Sequence, residues 1–273
     1  MKVMIVDPTI KCNGCFNCQI ACKDEHVDND WSPYAKPQPD MGHFWMRVDL
    51  VERGKFPKVK VNYIPVRCMH CEDPSCMKAA RDGAVYKRDD GTVIIDPEKS
   101  KGQKQLVDAC PYGCIYWNEE LNIPQKCTLC AHLLDEGLIK EPRCVEACPT
   151  GVFTFGEYDE LKDIIKEKKA EVLHPEFGTK PCVYYVGLPK KFVAGTVVFG
   201  DTDECAENVS VTLTGQGKTE TIRTNNYGDF EFEELEAGRE FLVKIEHPGY
   251  ALWELSAQTK TDVYLGNIVL TKS

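Results

Sequence analysis

The pattern of hydrophobic and polar positions changes near residue 190 of this chain. From there onward, short runs alternate between apolar and polar residues with a period of two, which is typical of β-strands with one buried face. Turn-forming clusters of Gly, Asn and Pro separate these runs at the spacing of an antiparallel sandwich. The predicted strands include residues 195–199, 209–213, 230–232, 241–245 and 263–265.

The preceding part of the chain lacks this strand pattern and is rich in loops. Short helix signals interrupt the loops, and one of them predicts a helix over residues 158–173. Glycine, proline and two lysines within residues 187–191 indicate a short linker. The sequence therefore predicts two domains, which occupy residues 1–189 and 190–273.

Composition and charge narrow the class of protein. The 273 residues are 42% hydrophobic, enough to fill the core of a globular chain. The net charge of −10 disfavours the basic surface that binding to nucleic acid requires, so a protein partner or a small carrier is favoured. No run of about 18 apolar residues is present for a direct membrane span, and the first residues do not resemble a signal peptide. We expect a cytoplasmic protein, although a partner with an export signal could take the folded chain elsewhere.

Cysteines provide the main chemical signal. Thirteen of the fifteen lie between residues 12 and 148, and most are separated from a neighbour by two to four other residues. Cysteines this close together seldom form a disulfide with one another. C-x-x-C spacing in a chain without a secretory signal is typical of metal binding, so the sequence predicts either zinc or iron–sulfur centres.

The first cysteine motif favours iron–sulfur over zinc. Its spacing, Cys12-x2-Cys15-x2-Cys18-x3-Cys22, is that of bacterial ferredoxins with 4Fe-4S clusters, in which the fourth cysteine ligates the other cluster of a pair. A structural zinc site usually combines two short pairs of cysteines and needs no third cysteine so close by.

The partner of the first motif lies far downstream. It is Cys127-x2-Cys130-x13-Cys144-x3-Cys148, followed by a proline. Crossing the fourth cysteines of the two motifs predicts two complete ligand sets. The first set is Cys12, Cys15, Cys18 and Cys148, and the second set is Cys127, Cys130, Cys144 and Cys22.

A second pair of motifs lies between these two, and it is only half complete. Its first half, Cys68-x2-Cys71-x4-Cys76, supplies three cysteines, but Ala80 stands where the fourth is expected. In its second half only the last position, Cys110, is a cysteine. Crossing the fourth ligands again predicts a third set, which is Cys68, Cys71, Cys76 and Cys110.

The four remaining positions of this middle pair form one complete ligand set without a cysteine. A serine could offer an oxygen to iron, but alanine and leucine side chains cannot ligate a metal. Random loss of individual cysteines would scarcely remove every ligand of one site and leave all four ligands of its neighbour. We infer that one cluster was deleted and three 4Fe-4S clusters remain. The vacated site consists of Ala80, Ser100, Gln103 and Leu106.

Three cysteines outside the motifs and one histidine inside a motif have no assigned ligand role. Cys114, Cys182 and Cys205 fall outside every motif, and such cysteines usually behave as small buried hydrophobic residues. His70 could hydrogen-bond a cluster sulfur, but an ordinary loop histidine is at least as common.

Basic residues flank several of the cluster cysteines. They could offset the negative charge of a cluster, although most charged residues in proteins are simply solvated. These residues are Lys11, Lys23, Arg67 and Lys126.

Taken together, the motifs over residues 1–189 resemble the four-cluster iron–sulfur subunits of the dimethyl-sulfoxide-reductase family of molybdopterin enzymes. The resemblance implies that clusters pass electrons between a molybdenum or tungsten site on a large partner subunit and a donor or acceptor. The molybdopterin and the catalytic residues would lie on that subunit, and this chain would not be an enzyme by itself. The segments that carry the resemblance are CNGCFNCQIACK (12–23), PVRCMHCEDPSC (65–76), ACPYG (109–113) and KCTLC (126–130).

The chain departs from this family pattern in two ways, by the vacated cluster site and by the β domain. The β domain resembles the seven-stranded carboxypeptidase-regulatory or transthyretin-like module, so the expected fold class is α+β, a tandem ferredoxin-like domain followed by a sandwich. The combination is most similar to a hydroxyl-transferring branch of the family, which acts on trihydroxybenzenes without net electron flow. An electron-transfer subunit of another molybdopterin reductase and a structural scaffold with redox-inert clusters remain as alternatives.

Overall fold

The computed structural model describes residues 1–273 except for the side chain of residue 10, and it divides the chain into two compact units. The first unit is Met1–Leu50 with Tyr63–Leu188, and the second unit is Val51–Asn62 with Pro189–Ser273. The division after Leu188 lies beside the predicted boundary. Residues 51–62, which the sequence analysis places in the first domain, instead belong to the second unit. They form the outer part of a long hairpin, and only tertiary contacts assign such a segment to one unit.

The first unit consists of short elements joined by loops. Its strands are β1 (Lys2–Val6), the inner halves of β2 (Met46–Lys55) and β3 (Lys58–Arg67), β4 (Val85–Lys87), β5 (Val93–Ile95), β6 (Tyr116–Asn118), β7 (Ile123–Gln125), β8 (Phe153–Glu157) and β9 (Val183–Tyr185). Its helices are α1 (Pro8–Lys11), α2 (Asn17–His26), α3 (Ser75–Ala79), α4 (Gln105–Asp108), α5 (Ala131–Asp135), α6 (Arg143–Glu146) and α7 (Tyr158–Glu167), with a 3-10 turn at Pro175–Phe177.

A three-stranded sheet brings both ends of the first unit together. Strand β1 pairs antiparallel with β8 and parallel with β9. Helix α7 packs on this sheet through Leu161, which is buried with Val3, Ile5 and Cys182. The helix ends at Glu167, although the sequence pattern predicts helix to residue 173. Lys169 has a φ of 50°, a left-handed conformation that a continuing α-helix does not allow.

The second unit is a sandwich of two four-stranded sheets. Seven of its strands have six residues or more, and β11 has two, so the prediction of a sandwich after a cysteine-bearing domain is confirmed. One sheet has the order β11-β10-β14 with β17 beside β10, and the other has the order β13-β12-β15-β16. The strands are β10 (Lys191–Phe199), β11 (Glu204–Cys205), β12 (Ser210–Gly215), β13 (Lys218–Arg223), β14 (Asp229–Leu235), β15 (Glu240–Glu246), β16 (Trp253–Gln258) and β17 (Val263–Leu270).

One strand pair of the sandwich is parallel, which corrects the expectation of a fully antiparallel arrangement. Strand β17 runs parallel to β10, from Val193 opposite Val263 to Phe199 opposite Leu270. The chain crosses from β16 in one sheet to β17 in the other, and a crossover of this kind allows parallel pairing. The buried side chains between the two sheets include Val197, Val211 and Phe232, so this unit has a core of its own.

The outer part of the β2–β3 hairpin is joined to the sandwich by ion pairs. Lys58 Nζ and Lys60 Nζ each lie 2.6 Å from a carboxylate oxygen of Glu231. Arg53 Nη1 lies 3.1 Å from Asp262 Oδ1, and these two side chains are only 12% and 4% exposed. Within the part of the chain that the structure describes, no helix is long and apolar enough to cross a membrane.

Candidate cluster-binding sites

The first predicted ligand set comes together where α2 begins and the loop after α6 passes. None of the fifteen cysteines, all of which lie within the described residues, forms a disulfide. Burial and the neighbouring thiolates of Cys148 and Cys15 raise the pKa of Cys12. Burial and the thiolates of Cys144, Cys12 and Cys148 raise the pKa of Cys18 to about 12. The four cysteines of the first set therefore lie near one another, although Cys148 is far from the other three along the sequence.

The second predicted set comes together around the middle of α2, the start of α5 and the short helix α6. Burial and the thiolates of Cys127, Cys144 and Cys130 raise the pKa of Cys22 well above its usual range. Burial and the thiolates of Cys144 and Cys127 likewise raise the pKa of Cys130. The structure thus places Cys22 beside the cysteines of the last motif rather than beside the other three of its own.

The third predicted set lines a single cavity. Burial and the thiolates of Cys68, Cys76 and Cys110 raise the pKa of Cys71 to about 12. The cavity encloses about 360 Å³ of space, part of it open to solvent. The four cysteines share its wall with apolar side chains, a threonine and a buried lysine. The lining residues are Cys68, Met69, Cys71, Pro74, Ser75, Cys76, Val93, Cys110, Pro111, Tyr112, Ile115, Lys126 and Thr179.

The second set is a neighbour of each of the other two sets. Cys18 of the first set is a neighbour of Cys144 of the second. Cys68 of the third set is a neighbour of Cys127 of the second. Burial raises the pKa of Cys68, the charge of Lys126 lowers it, and the thiolate of Cys127 raises it again. A centre held by the second set would therefore be adjacent to the centres of both other sets.

The two Cys-Pro segments have the same local structure. The backbone N–H of Cys114 donates to Cys110 Sγ at 3.5 Å, and the backbone N–H of Val152 donates to Cys148 Sγ at 3.4 Å. In both segments the donor follows its acceptor by four positions, after a glycine with a φ near 60°. N–H groups that point at a cysteine sulfur stabilise a thiolate and tune the cluster that it holds. Cys110 is therefore the structural equivalent of Cys148, and Cys114 is the equivalent of Val152.

Left-handed residues shape the C-x-x-C loops. Gly14, His70 and Leu129 have φ values of 70°, 42° and 61°, and each lies between two cysteines of a motif. This conformation turns the backbone sharply, and Leu129 N–H reaches Cys127 Sγ at 3.4 Å. At Gly14 a Cβ atom would lie 2.5 Å from the ring of Tyr63, so this position requires glycine.

Protein atoms fill the space around the four positions that the sequence predicts as a vacated site. Leu106 is fully buried in an apolar cluster that includes Ala80. The Gln103 side chain joins the two half-motifs, because its amide nitrogen donates to the Lys99 and Arg81 carbonyls at 2.9 and 3.2 Å. Its amide oxygen accepts the Arg81 N–H at 2.9 Å. Ser100 is also fully buried, and its hydroxyl has no hydrogen-bond partner among the described residues.

The structure shows the surroundings of His70, Arg67 and Lys126, which the sequence analysis left open. His70 Nδ1 accepts the backbone N–H of Val93 at 3.1 Å, so this nitrogen serves the local backbone. Burial, together with Lys126, Arg67 and Lys87, lowers the pKa of His70 well below its usual range, so the ring is neutral. Arg67 and Lys126 are buried, whereas the sequence alone favours solvated side chains. No sequence signal distinguishes them from other basic residues beside cysteines.

The cysteine sets fit 4Fe-4S clusters. Four thiolates per centre, N–H···S bonds and an enclosing apolar wall are the usual features of such sites. No group of three or more His, Cys, Asp and Glu side chains in the described residues is arranged to hold a single metal ion. Thiolates around a cubane stand wider apart than zinc ligands do, because each binds a different iron.

Two family models match separate parts of the chain. The model of the 4Fe-4S dicluster domain matches residues 59–158. The model of the carboxypeptidase regulatory-like domain matches residues 193–271, which lie within the sandwich. The α+β fold class predicted from the sequence, a ferredoxin-like domain followed by this β module, is confirmed.

Curated relatives match most of the chain. The pyrogallol hydroxytransferase small subunit of Pelobacter acidigallici is 43% identical, and the alignment covers 98% of this chain and 98% of the relative. A sulfite dehydrogenase subunit of Allochromatium vinosum is 34% identical, over 69% of this chain and 82% of the relative. A tetrathionate reductase subunit of Salmonella typhimurium is 32% identical, over 67% of this chain and 71% of the relative.

Proposed function

Because this chain belongs to the iron–sulfur subunits of the dimethyl-sulfoxide-reductase family of molybdopterin enzymes, we propose that it holds three 4Fe-4S clusters for a large molybdopterin-binding partner subunit. Each cluster, when bound, accepts and releases one electron at a time. The chain's own part is to hold the thiolates, exclude water and set the local charge. Under this proposal the molybdenum or tungsten centre and the catalytic residues lie on the partner, and this chain is not an enzyme by itself.

The ligand assignment rests on the three sets of four cysteines that the fold brings together. The sets are Cys12, Cys15, Cys18 and Cys148; Cys127, Cys130, Cys144 and Cys22; and Cys68, Cys71, Cys76 and Cys110. The observation that supports three clusters rather than four is the packing around Leu106, where side chains occupy the position of a fourth centre. A cluster there would need ligands that these side chains do not supply.

The reaction that we propose for the complex is hydroxyl transfer between trihydroxybenzenes, with the chemistry on the large subunit. The alignment with the Pelobacter relative supports it, because at 98% coverage it includes the sandwich as well as the cysteine motifs. The sulfite dehydrogenase and tetrathionate reductase relatives favour the second candidate, an electron-transfer subunit of another molybdopterin enzyme. The cytoplasmic location expected from the sequence stays a prediction.

The complex purified without oxygen from the native source tests this proposal. We expect about twelve irons per chain, because three complete sets hold four irons each. Titration with dithionite under electron paramagnetic resonance should reduce the clusters, and the complex should convert pyrogallol. An iron content near that of four clusters would contradict the vacated site. Clusters that cannot be reduced would support a structural scaffold, and reducible clusters without action on pyrogallol would support the second candidate.

A further inference from the structure

A basic residue precedes the first ligand position of all four ferredoxin-like motifs. The four pairs are Lys11-Cys12, Arg67-Cys68, Lys99-Ser100 and Lys126-Cys127. Two of these basic side chains lie at the surface. Lys11 is 39% exposed and lies 3.8 Å from Asp7, and Lys99 is 58% exposed and lies 3.9 Å from Asp96. Water and a nearby carboxylate weaken the effect of both charges on their surroundings.

Arg67 and Lys126, in contrast, are only 4% and 3% exposed. Burying a charge is costly unless an opposite charge or hydrogen bonds compensate it. Arg67 Nε and Nη1 have no hydrogen-bond partner among the described residues. The Lys126 ammonium donates to the backbone carbonyls of Val93 and Cys127. Neither side chain has a carboxylate partner in the part of the chain that the structure describes.

Thiols of two different ligand sets surround the buried cations. Arg67 immediately precedes Cys68 of the third set, and it also lies beside Cys144 of the second set. Lys126 immediately precedes Cys127 of the second set, and it lies beside Cys68 and lines the cavity of the third set. Each cation is thus the sequence neighbour of a cysteine of one set, and its side chain lies beside a cysteine of the other set.

We propose that Arg67 and Lys126 form a charge bridge between the second and third clusters and raise the reduction potentials of both. This proposal rests on the ligand sets of the proposed function. One electron from an external reductant adds negative charge to a buried cluster, and a fixed positive charge nearby makes that addition more favourable. Arginine stays protonated at all working pH values, so the effect of Arg67 involves no proton transfer.

The test compares charge-removing variants of the full complex by redox titration under electron paramagnetic resonance. Because each cation lies between two sets, Arg67→Met alone should lower two of the three midpoint potentials, and so should Lys126→Met. We expect shifts of at least about 59 mV, which is a tenfold change in a one-electron equilibrium. Lys11→Met is the matched control, since Lys11 holds the same sequence position at the first set but lies at the surface. It should leave all three potentials within that limit.

Iron analysis separates failure of this proposal from failure of the proposed function. Fewer than three clusters in the unmodified complex would contradict the proposed function. Three clusters whose potentials do not move in Arg67→Met and Lys126→Met, or move equally in Lys11→Met, would overturn the charge bridge. If the methionine variants lose iron, Arg67→Lys and Lys126→Arg decide. They keep the charge and should keep both potentials within about 59 mV, and a larger fall in either would overturn the proposal.

Discussion

The backbone N–H of Cys114 donates a hydrogen bond to Cys110 Sγ at an N···S distance of 3.5 Å. This contact assigns different roles to two cysteines in one short segment, an acceptor sulfur at Cys110 and a backbone donor at Cys114. The Cys114 thiol is buried and lies 3.4 Å from the Tyr112 carbonyl oxygen. A hydrogen bond from the Cys114 thiol, together with the backbone N–H groups of Cys114 and Tyr112, lowers the pKa of Cys110 to about 6, in spite of its burial. Cys110 is therefore the one of the two that is prepared to act as a thiolate.

The first prediction is that Cys110→Ala removes or converts one cluster. Iron should fall from about twelve to about eight per chain if the cluster is lost, or to about eleven if it is converted to a three-iron cluster, because the third set loses its fourth ligand. Cys114→Val is the control, since it removes the thiol donor but keeps the backbone donor, which is the arrangement that Val152 already has beside Cys148. It should keep all the iron. Iron analysis with cluster spectroscopy decides, and equal losses from both variants would contradict the ligand assignment.

The second prediction concerns Leu106, whose side chain is packed at the predicted vacated site. Leu106 is fully buried, so Leu106→Ala should lower the free energy of unfolding of the first unit by about 2–5 kcal/mol. The iron content at low temperature should stay near that of the unmodified chain. Leu138→Ala, at a side chain that is 65% exposed, should change stability by less than about 0.5 kcal/mol. Anaerobic thermal unfolding checks both, and an unchanged midpoint for Leu106→Ala would argue against a packed site.

The third prediction concerns the buried ion pair between Arg53 and Asp262. Asp262 Oδ1 also accepts the Phe192 N–H at 3.1 Å. Asp262→Ala leaves the buried guanidinium without its carboxylate partner, so we expect a loss of about 3–5 kcal/mol in the stability of the second unit. The control is Glu246→Ala, which removes a surface pair with Lys244 and should cost about 1 kcal/mol or less. Denaturant unfolding measures both, and similar losses would show that Asp262 contributes only as a surface charge.

The fourth prediction is that removal of iron unfolds one unit and not the other. The first unit contains all the cysteine sets, and the thiols of the third set line space that no side chain fills. Metal-ligand sites of this kind couple folding to metal binding. The sandwich has its own apolar core and should stay folded. Proteolysis after iron chelation, followed by mass spectrometry, should digest Tyr63–Leu188 first and leave a fragment that contains β10 to β17. A chain that resists cleavage throughout would contradict a metal-dependent first unit.

The sequence by itself determined the fold class and predicted the ligand sets. Cysteines a few residues apart share one loop. The spacing of Cys12, Cys15 and Cys18 therefore indicates a cluster-binding loop wherever that loop lies in the fold. Strand alternation in the sandwich is equally local, because a strand with one buried face repeats every two residues. Weakly apolar strands such as β13 (Lys218–Arg223) gave no such signal, since a mostly exposed edge strand has little to bury.

Only the tertiary structure decided which local signals meet and which side chains are buried. Residues 51–62 belong to the second unit, where Lys60 and Arg53 form ion pairs with Glu231 and Asp262, which are far away along the sequence. Likewise, Lys11 and Lys126 hold the same position beside a cysteine, yet one is at the surface and the other is buried. Burial depends on what packs against a residue from distant parts of the chain, and spacing along the sequence does not contain that information.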